Sequence, residues 1–376
     1  MILDGTRREE FGPGPTIAAV DARAYQIPTP QPEADGTLSW DATTMVVVRI
    51  SCHNSEVEGL GWTYADTSCV ELIKGKLTET IMDKPVLDVP AAWSAMQHKI
   101  RNLGRPGLVS CSISAVDIAL TDAAARLLGL PIDRLLGRCH DQVALYGSGG
   151  FTSQTEDQLV DQLRDWTVRR RLPRVKIKIG ESGGRRVDRD LERMRLARQT
   201  IGDDVELYVD ANGGYSIGQA KRVGSALDEV GAIWFEEPVS SDDLAGLAML
   251  RDCCSADIAA GEYGYDLPYF ARMLPCVDCL QVDLTRCGGF TEWRRISAVA
   301  AAANRQVSAH CAPNLSVYAG AATQNFRHIE WFVDHDRIES ELFDGTLDPD
   351  GGIVTPGPGP GHGLTLRSDA AATYAV

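Results

Sequence analysis

Past residue 142 the chain repeats one pattern, a short apolar run followed by a longer stretch of helical character. The runs lie near Val143–Tyr146, Val175–Ile179, Glu206–Val209, Ala232–Phe235, Asp257–Ala260, Cys279–Val282, Val307–Ala309 and Ile329–Trp331. Their starts are 22 to 32 residues apart, the length of a strand–helix unit. Eight units in a row predict a parallel barrel of TIM type wrapped by helices. An open doubly wound sheet is the alternative, but no Gly-rich phosphate loop follows the first run. Within Arg174–Gly180 the period of two puts Val175, Ile177 and Ile179 on one face and Lys176 and Lys178 on the other.

Before residue 142 the pattern differs. Ile17–Ile27, Thr44–Ser51 and Glu58–Tyr64 read as a β-meander rich in β-branched residues. Pro28, Pro30 and Pro32 end the first run, and the polar stretch Thr29–Trp40 reads as a loop able to act as a lid. Helical patterns follow at Ser68–Met82, Val89–Leu103 and Ser110–Leu128. The last carries Val116, Leu120, Ala123 and Leu127 on one side and is stopped by Gly129 and Pro131, as befits a buried scaffold helix. Gly345–Gly363 is a Pro/Gly-rich tail expected to return to the N-terminal part. The expected division is an α+β cap over 1–140, the barrel over 141–345 and a returning segment over 346–376.

Composition narrows the function classes. The 376 residues carry a formal net charge of −15 with no basic block, which excludes a nucleic-acid partner. A small anionic substrate remains compatible, because charge inside a pocket can oppose the global sign. No stretch reads as a membrane span. The polar stretch Met1–Pro15 has no apolar leader, and ten scattered cysteines suit a reducing cytoplasm. Cys276 and Cys279 have CxxC spacing but lack the second pair or histidines a zinc site needs.

In a barrel the chemistry sits where strands end. Here the ends carry Lys176 and Lys178, Asp210-Ala-Asn212, Glu236-Glu237-Pro238, Gly261-Glu262, Asp283, His310 and Glu330. Asp210, Glu236 and Glu262 follow one another at intervals of 26 residues, which predicts equal heights on adjacent strands. Three converging carboxylates repel unless a cation lies between them, and an all-oxygen set suits Mg²⁺. Asp283 and His310 are one strand–helix unit apart, so adjacent strands can pair them as a carboxylate–histidine couple.

Lys-x-Lys, Asp-Ala-Asn, Glu-Glu-Pro, Gly-Glu, Asp283 and His310 together resemble the enolase superfamily, in its mandelate racemase subgroup. The resemblance extends to the N-terminal cap and the Asp-Gly…Pro-Gly…Gly-Leu tail. One departure is Ala119-Leu120-Thr121-Asp122, where many relatives carry Ala-Leu-Trp-Asp, a matter of cap packing. The resemblance implies an α/β fold, a modified TIM barrel of (β/α)7β type with an α+β N-terminal capping domain. It implies Mg²⁺ on Asp210, Glu236 and Glu262. It also implies abstraction of the proton α to a carboxylate through an enediolate, in a homo-oligomer.

By the same resemblance Lys178 is the base on one face, its pKa drawn toward neutrality by Lys176 and the metal. Lys176 is expected on the substrate carboxylate, His310 with Asp283 on the opposite face, and Glu330 as a protonated acid donating to the enediolate. Asn212 and Tyr146 are candidate substrate contacts; Gly149, Tyr263 and Tyr265 are further candidates for the pocket wall. His53, His98, His140, His328 and His335 read as structural. Thr29, Gln31, Glu33, Asp35, Thr37 and Ser39 make the expected lid polar, which favours a polyhydroxy acid. The expected reaction is therefore dehydration of an acid sugar to a 2-keto-3-deoxy acid. A racemase, epimerase or cycloisomerase of a small carboxylate is the alternative, and a binding protein with a vestigial site the third class.

Overall fold

The computed structural model describes residues 14–376, so the start of the polar N-terminal stretch lies outside the described residues. β1 (Ile17–Ala34), β2 (Ser39–Cys52) and β3 (Glu58–Tyr64) form an antiparallel sheet in that order. β1 runs straight through Pro28, Pro30 and Pro32, so the expected loop Thr29–Trp40 is mostly a long hairpin that turns only near residues 35–38. The prolines are tolerated because β1 is the sheet's edge, where a missing N–H costs no ladder bond. They leave a register shift between Pro28 and Glu33.

The helix Leu108–Leu127 is long and apolar enough to cross a membrane by composition, yet it is the buried spine of the cap. A Cβ at Gly59 or Gly61 of β3 would stand 2.1 or 2.4 Å from the carbonyl oxygens of Ala119 and Ala115. Those glycines let strand and helix meet backbone to backbone. Ser112, Ser114 and Thr121 return their hydroxyls to carbonyls one turn back, so these three hydroxyls are satisfied within the helix.

All eight apolar runs of the repeat are strands: β4 (Val143–Gly149), β5 (Arg174–Lys178), β6 (Glu206–Asp210), β7 (Ala232–Glu236), β8 (Asp257–Ala260), β9 (Cys279–Val282), β10 (Gln306–Ala309) and β11 (Phe326–Phe332). Each pairs in parallel with the next, and β11 pairs with β4, closing the barrel. Helical segments join consecutive strands, and Val333–Leu342 follows the last. Val175, Ile177 and Ile179 face the helices in the main core, while Lys176 and Lys178 point inward, as the alternation requires.

The tail does return. Ile353 and Val354 pair antiparallel with Ala144 and Val143 at the start of β4, His362 Nε2 meets the Leu60 carbonyl, and the Val376 N–H donates to Ala24 of β1. At the opposite end the hairpin tip leans on the barrel mouth. A Cβ at Gly36 would lie 2.6 Å from the carbonyl oxygens of both Ala211 and Ile179, and the Gly36 carbonyl accepts from Gly183 N–H.

Candidate active site

The ionisable strand ends converge beneath that hairpin on a cavity of about 460 Å³, whose wall includes Asp35, Trp40, Lys178, Glu262, Arg286 and His310. A larger cavity, about 800 Å³, lies between the outer face of the cap sheet and the tail. Its arginines are already held, Arg23 by Asp21, Arg49 by Glu58 and Arg126 by Asp122. The chemistry therefore belongs to the smaller cavity.

Register explains part of the convergence. Lys178 pairs with Asp210 and Asp210 with Glu236 across adjacent strands, so these three share one height. Glu262 does not: Glu236 is opposite Ala259, and β8 stops at Ala260. Equal sequence intervals thus do not mean equal heights. The chain still brings Glu262 inward through Gly261, whose φ of +137° and 2.5 Å Cβ approach to the Gln281 carbonyl exclude a side chain. One oxygen from each of Asp210, Glu236 and Glu262 lies within 4.8 Å of the others, all buried.

These carboxylates are not balanced by protein cations. Asp210, Glu236, Glu237, Glu262, Asp283 and Glu330 are all buried at the mouth. Among the described residues, Lys176, Lys178, Arg286 and His310 stand against these six. Burial and the adjacent Asp210 carboxylate push Glu236 well above the usual range, and burial with Glu262 does the same to Glu237. Glu262 Oε2 and Glu237 Oε1 are buried without a hydrogen-bond partner. A deficit of positive charge, unpartnered carboxylate oxygens and an all-oxygen trio fit a hard divalent cation.

The lysines differ from expectation. Lys176 is fully buried and bridges Glu236 (2.5 Å) and Glu330 (2.7 Å), away from the cavity wall. In this structure its ammonium is held by carboxylates of neighbouring strands, where a contact with substrate carboxylate was expected. Lys178 lines the cavity and donates to Asp210 at 2.5 Å. Burial lowers its pKa, but with Asp210 free to pair with it the carboxylate outweighs burial and holds it above the ordinary lysine value. Glu330 departs too. Burial favours its neutral form, but Lys176 overrides that and keeps it a carboxylate, which accepts from Ser148 Oγ at 2.6 Å.

The expected histidine pair is formed. His310 Nδ1 lies 2.7 Å from Asp283 Oδ2, and Asp283 Oδ1 accepts from the Thr285 N–H and hydroxyl. This leaves His310 Nε2 facing Glu262 Oε2 at 3.3 Å and Glu330 Oε2 at 3.6 Å. Burial lowers the His310 pKa, but Glu262, Glu330 and Asp283 together raise it. Asn212 reaches the wall; its φ is +45°, its N–H donates to Asp210 Oδ1, and its side-chain oxygen is unpartnered.

Tyr146 does not reach the wall. It lies fully buried in the barrel interior with Tyr208 and Trp234, its hydroxyl accepting from Gln281 Nε2. Of the further candidates Tyr263 lines the cavity, whereas Gly149 and Tyr265 do not. Of the expected polar lid residues only Asp35 does, joined by Leu38, Trp40, Thr43 and Thr44. Glu33 turns away to accept from Trp40 Nε1, and burial and Asp334 raise its pKa to about 8. His328 packs among the interior aromatics, whereas His335, also expected to be structural, lines the cavity. His335 stacks on Tyr64 with ring centroids 3.4 Å apart, accepts from Ala312 N–H, and is lowered by burial to about 3.

Arg286 and Cys311 were not anticipated. Arg286 Nε lies 3.3 Å from Asp283 Oδ2, its guanidinium stacks on Tyr263, and it lines the cavity. The signal was present in its position three residues after Asp283, on a loop at the mouth. Cys311 follows His310 in a left-handed conformation that turns its thiol to the same wall.

The comparisons with known proteins agree with this geometry. Residues 158–370 match the enolase C-terminal domain-like family, and residues 19–137 match the mandelate racemase/muconate lactonizing enzyme N-terminal domain. The chain belongs to the mandelate racemase subgroup of the enolase superfamily. It is similar to the crystal structure of a mandelate racemase/muconate lactonizing enzyme-like protein from Rubrobacter xylanophilus. That match has 46% identity and a TM-score of 0.92, covering 96% of this chain and 100% of the other. It is 29% identical to D-galactarolactone cycloisomerase of Agrobacterium fabrum, over 94% of this chain and 97% of that protein. It is 30% identical to arabinonate dehydratase of Saccharolobus solfataricus, over 75% and 77%. Solved members of the superfamily are crystallised with magnesium bound.

Proposed function

We propose that the chain is a Mg²⁺-dependent carbon–oxygen lyase that dehydrates an acid sugar to a 2-keto-3-deoxy acid. The observation that carries this reading is one cavity wall holding Lys178 and the His310–Asp283 pair beside a trio of carboxylates with too few cations to balance it. Asp210, Glu236 and Glu262 would hold the ion, which supplies positive charge to the substrate carboxylate as it gains a second negative charge. Arg286, a cation on the wall, takes the carboxylate-binding role first expected of Lys176.

Lys178 can act as a base only once Asp210 is engaged elsewhere; the adjacent Lys176 ammonium then favours its neutral amine. The α-carbon–hydrogen bond breaks and the proton passes to Lys178 Nζ. Asp283 fixes the imidazole of His310 so that Nε2 faces the substrate. His310 gives its proton to the departing β-hydroxyl, the carbon–oxygen bond breaks, and water leaves. The resulting enol tautomerises to the keto acid. Lys176 keeps Glu330 ionised and stays out of proton transfer.

The second reading is a racemase, epimerase or cycloisomerase, in which His310 returns a proton to the opposite face. The likeness to a cycloisomerase over nearly the whole chain favours it. A library of mono- and diacid sugars incubated with Mg²⁺, followed by keto-acid detection and proton NMR in D₂O, separates the two. Keto acid from any member supports the lyase. α-Deuteration, epimerisation or lactone rearrangement without keto acid replaces it with the second reading.

A further inference from the structure

Cys311 takes no part in the reaction above, yet its sulfur lies where chemistry is densest. Sγ is 3.3 Å from His310 Nε2 and 3.4 Å from Glu330 Oε2, and those two atoms are 3.6 Å apart. A tetrahedral zinc ion binds sulfur at about 2.3 Å, imidazole nitrogen at about 2.0–2.1 Å and carboxylate oxygen at about 2.0–2.2 Å. At tetrahedral angles those bonds separate sulfur from nitrogen or oxygen by about 3.5–3.6 Å, and nitrogen from oxygen by about 3.4 Å. Each observed separation is within about 0.3 Å of the ideal. The three atoms already outline one face of a zinc tetrahedron.

Two independent features support this. A zinc-bound histidine almost always donates its other ring N–H to a carboxylate, and His310 Nδ1 meets Asp283 Oδ2 at 2.7 Å. Among the described residues Glu262 Oε2 is buried without a hydrogen-bond partner, 3.3 Å from His310 Nε2. The donor set is also chemically distinct from the carboxylate trio. Thiolate and imidazole select borderline-soft ions such as Zn²⁺, whereas all-oxygen ligands suit Mg²⁺.

We infer that His310, Cys311 and Glu330 form a second metal site, selective for Zn²⁺-like cations and able to switch the enzyme off. Binding releases the thiol proton and the Nε2 proton of His310, and the ion takes the Nε2 lone pair so freed. Inhibition rests on His310 acting as an acid/base; the binding itself does not.

The test keeps the trio saturated with Mg²⁺ and titrates the full-length protein with Co²⁺ under anaerobic conditions. One equivalent should produce a near-ultraviolet thiolate-to-cobalt band, which all-oxygen ligands do not give. Cys311→Ser should lose the band, while Cys139→Ser and Cys253→Ser, at the exposed cysteines, keep it. X-ray absorption of the unmutated protein with one equivalent of Zn²⁺ should show one sulfur neighbour at about 2.3 Å, a readout that needs no variant. Zn²⁺ should inhibit at saturating Mg²⁺, and Cys311→Ser should be at least tenfold less sensitive relative to its own zinc-free rate. A band that survives Cys311→Ser, or a zinc shell without sulfur, overturns the site. Sulfur-bound zinc without inhibition keeps the site and overturns the switch, pointing back to the role given to His310.

Discussion

The barrel has two inward-facing layers, and both are buried, but they solve burial in opposite ways. In the interior Tyr146, Tyr208 and Trp234 pack around His328, with ring centroids 4.8 to 5.5 Å apart. Burial and the nearby Arg327 hold His328 well below its ordinary pKa, so this layer is neutral and aromatic. At the mouth His310 is equally buried but is raised, because Glu262, Glu330 and Asp283 surround it. Two histidines in one barrel thus differ by what touches them, not by depth. Sustained charge without full pairing marks the layer built for chemistry, and mutual neutrality marks the layer built for support.

The largest break in that contrast comes from removing a ligand of the trio. Asp210→Asn, Glu236→Gln or Glu262→Gln should lower turnover by at least about 10³-fold and abolish Mg²⁺ binding by calorimetry, while the melting temperature rises for Glu236→Gln, whose charge is disfavoured, and falls for Asp210→Asn, which leaves Lys178 unpaired. Unchanged Mg²⁺ affinity in all three would remove the ligand assignment.

Removing either base tests the mouth more finely. Lys178→Ala and His310→Asn should each cut turnover by about 10²–10⁴-fold. α-Proton exchange in D₂O should persist in one variant for each epimer, through the base that remains. Near-native rates in both would end the two-base scheme. In the supporting layer the expectation reverses. Trp234→Ala should cost about 3–5 kcal/mol in urea denaturation, with Mg²⁺ affinity changed little. If stability held and Mg²⁺ affinity collapsed, the division of labour between layers would be wrong.

The smallest effect sharpens the rule that unbalanced burial shows itself in titration. Burial raises Asp117, in the cap spine, to about 7, with Oδ1 unpartnered and Oδ2 accepting from Thr291 N–H. Between the unfolded value near 4 and about 7 the native state binds a proton that the unfolded chain has released. Stability therefore falls as pH rises through this window, by at most about 1.4 kcal/mol per pH unit from this group. Asp117→Asn should flatten that part of the stability–pH curve; an unchanged slope would assign it to other groups.

Much of this was legible in the chain. The eight strands could be read because each is a brief apolar run, as parallel strands buried on both faces require, and seven of them lead into an ionisable residue. The hairpin was misread because proline ends a central strand but not an edge strand, and edge position is a tertiary fact. Tyr146 was misplaced because alternation reports which face a residue takes and says nothing of its height along the barrel. The surroundings of Lys176 were not legible, because the three carboxylates that hold it come from other strands. Arg286 and Cys311 sit in loops, where no period announces them.

The glycine at the hairpin tip sets a limit on how this enzyme can diverge. Gly36 is wedged against two barrel carbonyls with no room for a single carbon, so the roof of the cavity hangs at a fixed height. Substitutions along the flanks, at Leu38, Trp40, Thr43 and Thr44, change what the roof presents without moving it. New substrates are therefore reached by repainting the roof, whereas a side chain at its tip would lift it and flood the site with water.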